Sequence, residues 1–139
     1  MNEYRWRDLA VGQSAQFDIT LTPEMFAGFA AMSGDENPLH LDEDFARASG
    51  FPGRVAFGLL VSSFYSQLVG MHLPGKWALL HGLDLEFKAP AYAGDTLTVS
   101  GEVAFLTEAY RRAELKARIR NQAGTLISRA TIRAGVHGD

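Results

Sequence analysis

The run GLLVSSFYSQLVGM, residues 58–71, constrains the fold more than any other stretch of this chain. It is apolar nearly all round, its polar side chains being three serines and Gln67. A helix of that composition belongs inside a structure rather than on its surface. Leu73-Pro74-Gly75 ends it, so the helix must be enclosed by what comes next.

Beyond about residue 77 the pattern has period two. Leu83, Leu85 and Phe87 oppose Asp84, Glu86 and Lys88. Leu97, Val99, Val103 and Phe105 are expected to face one way in TLTVSGEVAFLT. Ala113, Leu115, Ala117 and Ile119 oppose Arg112, Glu114, Lys116, Arg118 and Arg120. Asn121-Gln122-Ala123-Gly124 reads as a turn, TLISRATIRA as a last strand and QFDIT as an early one. Antiparallel strands with one polar face need a cover for the other. The expectation is α+β, a curved antiparallel sheet wrapped around a long central helix, with residues 1–139 forming one domain.

Ahead of that helix, Thr22-Pro23-Glu24 is a helix start, and Ser33-Gly34 a stop. Asp42 caps a shorter helix, EDFARAS, that ends at Gly50. Between them lies GDENPLH, residues 34–40, with one carboxylate and one imidazole around a proline. From the residues alone it admits an Asx-type turn, a metal site or an acid/base pair. Pro38 disfavours helix at Asn37, so neither Asp35 nor His40 is expected on a helix. Five extended residues span about 16–18 Å, so only a bend at Asn37-Pro38 could bring the two together. The spacing fits no EF-hand or HExxH site, and Asp42, Glu43 and Asp44 suit a helix N-terminus.

Composition removes other classes. No cysteine is present among 139 residues, which excludes disulfides, thiolate metal sites and cysteine nucleophiles. A net charge of −3 gives no electrostatic case for nucleic-acid binding. No apolar run nears the ~20 residues of a membrane span, and MNEYRWRDLAVGQ has no secretory pattern. A cytoplasmic location is expected.

FAAMSGDENPLHLDEDFARASGF resembles the signature of the MaoC-like (R)-specific enoyl-CoA hydratases, whose Ser-Gly-Asp-x-Asn-Pro-Leu-His is followed by an alanine, here Ala46. The resemblance continues through RVAFGLLVSSFYSQLVGMHLPGK and LEFKAPAYAGDTLTV, covering residues 9 to 133. It implies the hotdog fold, a homodimer or dimer of dimers, and reversible hydration of a trans-2-enoyl-CoA without a cofactor or metal. Asp35 and His40 match the family's catalytic pair. Gly58 matches the position whose backbone N–H meets the thioester oxygen, and Asn37 and Ser66 are further expected substrate contacts. Where many relatives read His-Gly, this chain reads Phe57-Gly58. Phe51-Pro52-Gly53 is similar to the His-Phe-Pro-Gly motif of carrier-protein dehydratases, but Gly50 stands in place of its histidine. An acyl-CoA thioesterase is the rival enzyme, disfavoured because residues 58–71 hold no carboxylate. A non-catalytic acyl-CoA-binding protein is the rival outside catalysis.

Of the remaining candidates, His72 is expected to serve the helix C-terminus, His81 to lie in a strand and His137 in a fraying tail. The arginines at 111, 112, 118, 120, 129 and 133 are expected to form a solvated face, with CoA phosphates as the alternative. Ser62 and Ser63 are expected to ease helix packing.

Overall fold

The computed structural model describes residues 1–138. Five antiparallel strands form one sheet in the order β1-β3-β4-β5-β2. They are β1 (Ser14–Thr20), β2 (Ala78–Phe87), β3 (Thr96–Thr107), β4 (Arg112–Arg120) and β5 (Leu126–Val136). The helices α1 (Pro23–Ser33), α2 (Pro38–Leu41), α3 (Glu43–Ala48) and α4 (Gly58–Gln67) all lie between β1 and β2 in sequence. Because those strands are opposite edges of the sheet, the connection between them must cross its inner face. The apolar helix makes that crossing, as its composition requires.

Leu60, Val61, Phe64, Tyr65 and Leu68 are buried along this helix. They join one core cluster with Leu97, Val99, Leu115, Ile119 and Ile132 of the sheet. Gly101 permits the closest approach, since a Cβ there would come 2.7 Å from Leu68 Cδ2. Leu68 is fully buried, so truncating it to alanine should cost about 2–5 kcal/mol.

Local signals placed the helix ends well. Thr22 Oγ1 accepts the Met25 N–H at 3.3 Å, and Gly34 closes α1 with φ 77°. Asp42 Oδ1 caps α3 by accepting the Phe45 N–H at 3.1 Å. The acidic cluster is therefore a helix start.

Four expectations need correction. The central helix does not stay α-helical to residue 71: from Leu68 to His72 it widens into a π-helix. Phe105 does not share the face of Val103. A register shift separates them, pairing Val103 with Leu115 but Phe105 with Glu114. The extra residue turns Phe105 outward, 59 % exposed, and Leu106 inward opposite Ala113. His137 is held, its N–H donating to the Trp77 carbonyl at 2.9 Å and its ring standing edge-on to Trp77. His40 lies on a helical turn after all. Asn37 is non-helical, as Pro38 demands, yet Pro38 itself opens α2 and carries His40 on it.

Candidate active site

The GDENPLH segment is built from three consecutive side-chain caps. Ser33 Oγ accepts the Asp35 N–H at 3.2 Å. Asp35 Oδ1 accepts the Asn37 N–H at 3.1 Å. Asn37 Oδ1 accepts the Leu39 N–H at 3.0 Å. Each polar side chain holds the amide two residues later, the Asx and Ser turn chemistry that the composition allows. The turn reading holds and is compatible with an acid/base role: Asp35 spends Oδ1 on the turn, and Oδ2 has no hydrogen bond among the described residues.

His40 is fixed from outside its own segment. Its Nδ1 lies 2.7 Å from the Val55 carbonyl. A carbonyl only accepts, so Nδ1 carries the proton and the neutral ring keeps its lone pair on Nε2. Val55 N–H in turn donates to the Leu39 carbonyl at 3.2 Å, locking α2 against residues 54–56. The His40 ring also stacks on Phe57, with centroids 4.1 Å apart and planes at 28°. Phe57 is buried between Phe26, Phe29 and His40. The residue that replaces the common histidine thus serves as an aromatic wall behind the imidazole.

Phe57 is also the residue before Gly58, the first of α4. Side chains cap α1, α2 and α3, but none caps α4. Its first amides and positive dipole end are left to whatever enters from outside. A cavity of about 300 Å³ opens there, lined by Ala56, Gly58, Val61, Phe87, Ala91 and Ile127 among others. A Cβ on Gly58 would come 3.1 Å from the Phe87 ring, so glycine keeps the helix start open to this space.

The expected residues are not all gathered there. Gly58 lines the cavity, while Asp35, Asn37, His40 and Ser66 are outside its lining. His40 is tied to it through Phe57, and Asp35 through the cap relay. Asn37 is exposed and spends its carbonyl oxygen on the α2 cap. Ser66 is exposed on α4. Ser62 and Ser63 bond back to the carbonyls of Gly58 and Leu60, which settles them as helix-internal.

A larger concavity, about 720 Å³, lies on the polar face of the sheet among Asp84, Glu86, Lys116, Arg118, Arg120 and Arg129. Volume alone would favour it, but its lining is charged and it faces away from α4. Arg129 and Arg133 are paired there with Glu86 and Asp84. These exposed carboxyls are held below their usual range, Asp84 chiefly by hydrogen bonding to Arg133 and Glu86 chiefly by hydrogen bonding to Lys88. This is the solvated face expected of alternating strands. His81 accepts from Arg112 Nε at 3.1 Å, and His72 stacks on Phe17 with centroids 4.9 Å apart.

Two features of the candidate site escaped the sequence. The Val55 carbonyl acts through its backbone and leaves no residue signature. Phe87 reads as an ordinary inward strand residue, although it is 54 % exposed at the sheet edge.

Residues 8–123 match the MaoC-like domain family. The chain is 41 % identical over 120 residues to the (R)-specific enoyl-CoA hydratase of Aeromonas caviae, covering 86 % of this chain and 90 % of that protein. It is 38 % identical over 110 residues to the 3-hydroxybutyryl-CoA dehydratase of Methylorubrum extorquens, covering 79 % and 70 %. The solved structure of an (R)-hydratase from A. caviae involved in PHA biosynthesis superposes with a TM-score of 0.91 at 37 % identity, over 94 % of this chain and 99 % of that one. That structure shares the wrapped sheet and the crossing helix. On fold, on coverage and on the length of the match, this chain belongs to the MaoC-like domain family.

Proposed function

We propose that this chain is an (R)-specific enoyl-CoA hydratase, adding water reversibly across the double bond of a trans-2-enoyl-CoA to give an (R)-3-hydroxyacyl-CoA. The single observation that carries the reading is the pairing of His40 with an uncapped helix start through Phe57. The His40 ring, held at Nδ1 by the Val55 carbonyl, stacks on Phe57, the residue that precedes an amide cluster suited to a developing oxyanion. Similarity to the curated hydratases and dehydratases supports the same reaction.

His40 Nε2 takes a proton from water as the water oxygen bonds C3. The C2–C3 pair of electrons moves into the thioester, and negative charge grows on its oxygen. The Gly58 N–H receives that charge, where a pre-oriented donor is most valuable. The free oxygen of Asp35 orients the water and balances the imidazolium. The proton held by His40 then passes to C2, so one water is added and no group is left changed.

Among the described residues the sheet ends at β2 with no neighbour beyond it, and Leu79, Leu80 and Phe87 are exposed along it. An open, apolar edge is a template for a second strand. We place the dimer contact there, β2 against β2, which would bring the partner close to the Phe87 side of the cavity.

Asp35→Asn is the cleanest test, because asparagine can still accept the Asn37 N–H and preserve the turn. Hydration of crotonyl-CoA, followed by loss of enoyl-thioester absorbance, is expected to fall by about 10²–10⁴-fold. Full activity in that variant, or no turnover of any short enoyl-CoA by the unaltered protein, refutes the assignment.

A further inference from the structure

The centre of the core holds a polar pair that this chemistry does not use. Tyr65, 2 % exposed, and Ser128, fully buried, meet across the gap between α4 and β5. The tyrosine hydroxyl donates to Ser128 Oγ at 3.0 Å. A Phe–Ala pair would fill similar space without burying two hydroxyls, so the bond adds something other than apolar contact. It fixes the tyrosine ring in one position.

That position lies behind the cavity at Gly58, whose lining includes neither Tyr65 nor Ser128. Val61 lines the cavity, and Tyr65 follows it by four residues, on the same face of the helix. Phe87 lines the opposite side and pairs directly with Ser128. Directly paired residues in antiparallel strands share a face. The Tyr65–Ser128 bond therefore spans from helix to sheet immediately behind both walls. Gly58 and Tyr65 are seven residues apart in one helix, about 10 Å along its axis.

We propose that Tyr65, clamped by Ser128, is the floor of the acyl pocket and limits linear substrates to about eight carbons, since each bond of about 1.5 Å advances an extended chain by slightly less than its length. The inference rests on the enoyl-CoA reading of the cavity.

The test measures kcat/KM for trans-2-enoyl-CoAs from C4 to C12. The unaltered protein is expected to lose on the order of tenfold or more between C8 and C12, the scale on which a hydrophobic pocket discriminates by size. Tyr65→Leu should raise the C12-to-C4 ratio on the order of tenfold. If that variant does not fold, Tyr65→Met, which fills irregular core space with a flexible chain, carries the same expectation. An unchanged ratio in a folded variant, or C12 handled as well as C4 by the unaltered protein, overturns the proposal. Calorimetric affinities for butyryl-CoA and dodecanoyl-CoA provide a readout independent of turnover. If the protein hydrates nothing, the hydratase reading fails, while a shifted affinity ratio still supports the floor and an unshifted one overturns it. Binding of neither thioester overturns both.

Discussion

Replacing Tyr65 with phenylalanine should change how stability depends on pH in a way no surface substitution can. Burial pushes the Tyr65 hydroxyl up from 10.0 to about 12, with the Ser128 hydrogen bond opposing more weakly. The folded pKa is above the unfolded one, so between these values the folded state holds more protons. The contribution is complete below pH 10 and disappears as pH rises through about 12. At pH 11 an unfolded tyrosine is almost wholly ionised and the folded one almost wholly neutral, which costs about 1.4 kcal/mol of stability. The informative quantity is a difference between the two proteins. At pH 8 Tyr65→Phe should be the less stable by about 1–3 kcal/mol, having lost one buried hydrogen bond and orphaned Ser128. By pH 11 that gap should narrow by about 1.4 kcal/mol. Urea unfolding followed by tryptophan fluorescence at both pH values measures it. Parallel pH dependences in the two proteins would refute the buried, mutually bonded hydroxyl pair.

His40→Ala should lower kcat by about 10²–10⁴-fold while shifting the melting temperature only slightly, because the ring is half-buried and its loss leaves Phe57 seated on Phe26 and Phe29. Gly58→Ala should fold, since Phe87 is an exposed edge residue able to give by a few tenths of an ångström. Its methyl would nevertheless intrude at the oxyanion position and lower kcat by about 10²-fold; a fully active Gly58→Ala would remove the helix start from the mechanism. Leu80→Lys, placing a charge on the open β2 edge, should convert the proposed dimer to monomer by light scattering, and an unchanged mass would move the contact elsewhere.

The sequence exposed the fold wherever one face is wholly buried. Ala113, Leu115, Ala117 and Ile119 are at most 4 % exposed, and their alternation with charged residues leaves no other register for β4. It failed where a single inserted residue changes phase, as at Phe105, because no residue type marks such a bulge. The site divides similarly. Ser33, Asp35 and Asn37 act on amides two residues away, so their chemistry is local and readable. His40 depends on a backbone carbonyl 15 residues away, and Tyr65 on a hydroxyl 63 residues away. Contacts of that span are created by the tertiary fold and have no periodicity to announce them.

The strand order has a kinetic consequence. β4 and β5 are joined by a short turn and can pair early, whereas β1 and β2 are the outermost strands and are separated by all four α-helices of the described residues. The segment carrying Asp35, His40 and Gly58 is the loop that closes when those two edges are set. Closing it is an expensive, non-local step, of the kind that slows folding in proteins rich in long-range contacts. On the proposed mechanism, a chain without that closure lacks its catalytic segment. Recovery of hydration activity after dilution from denaturant would report the last event of folding, later than any signal from the sheet itself.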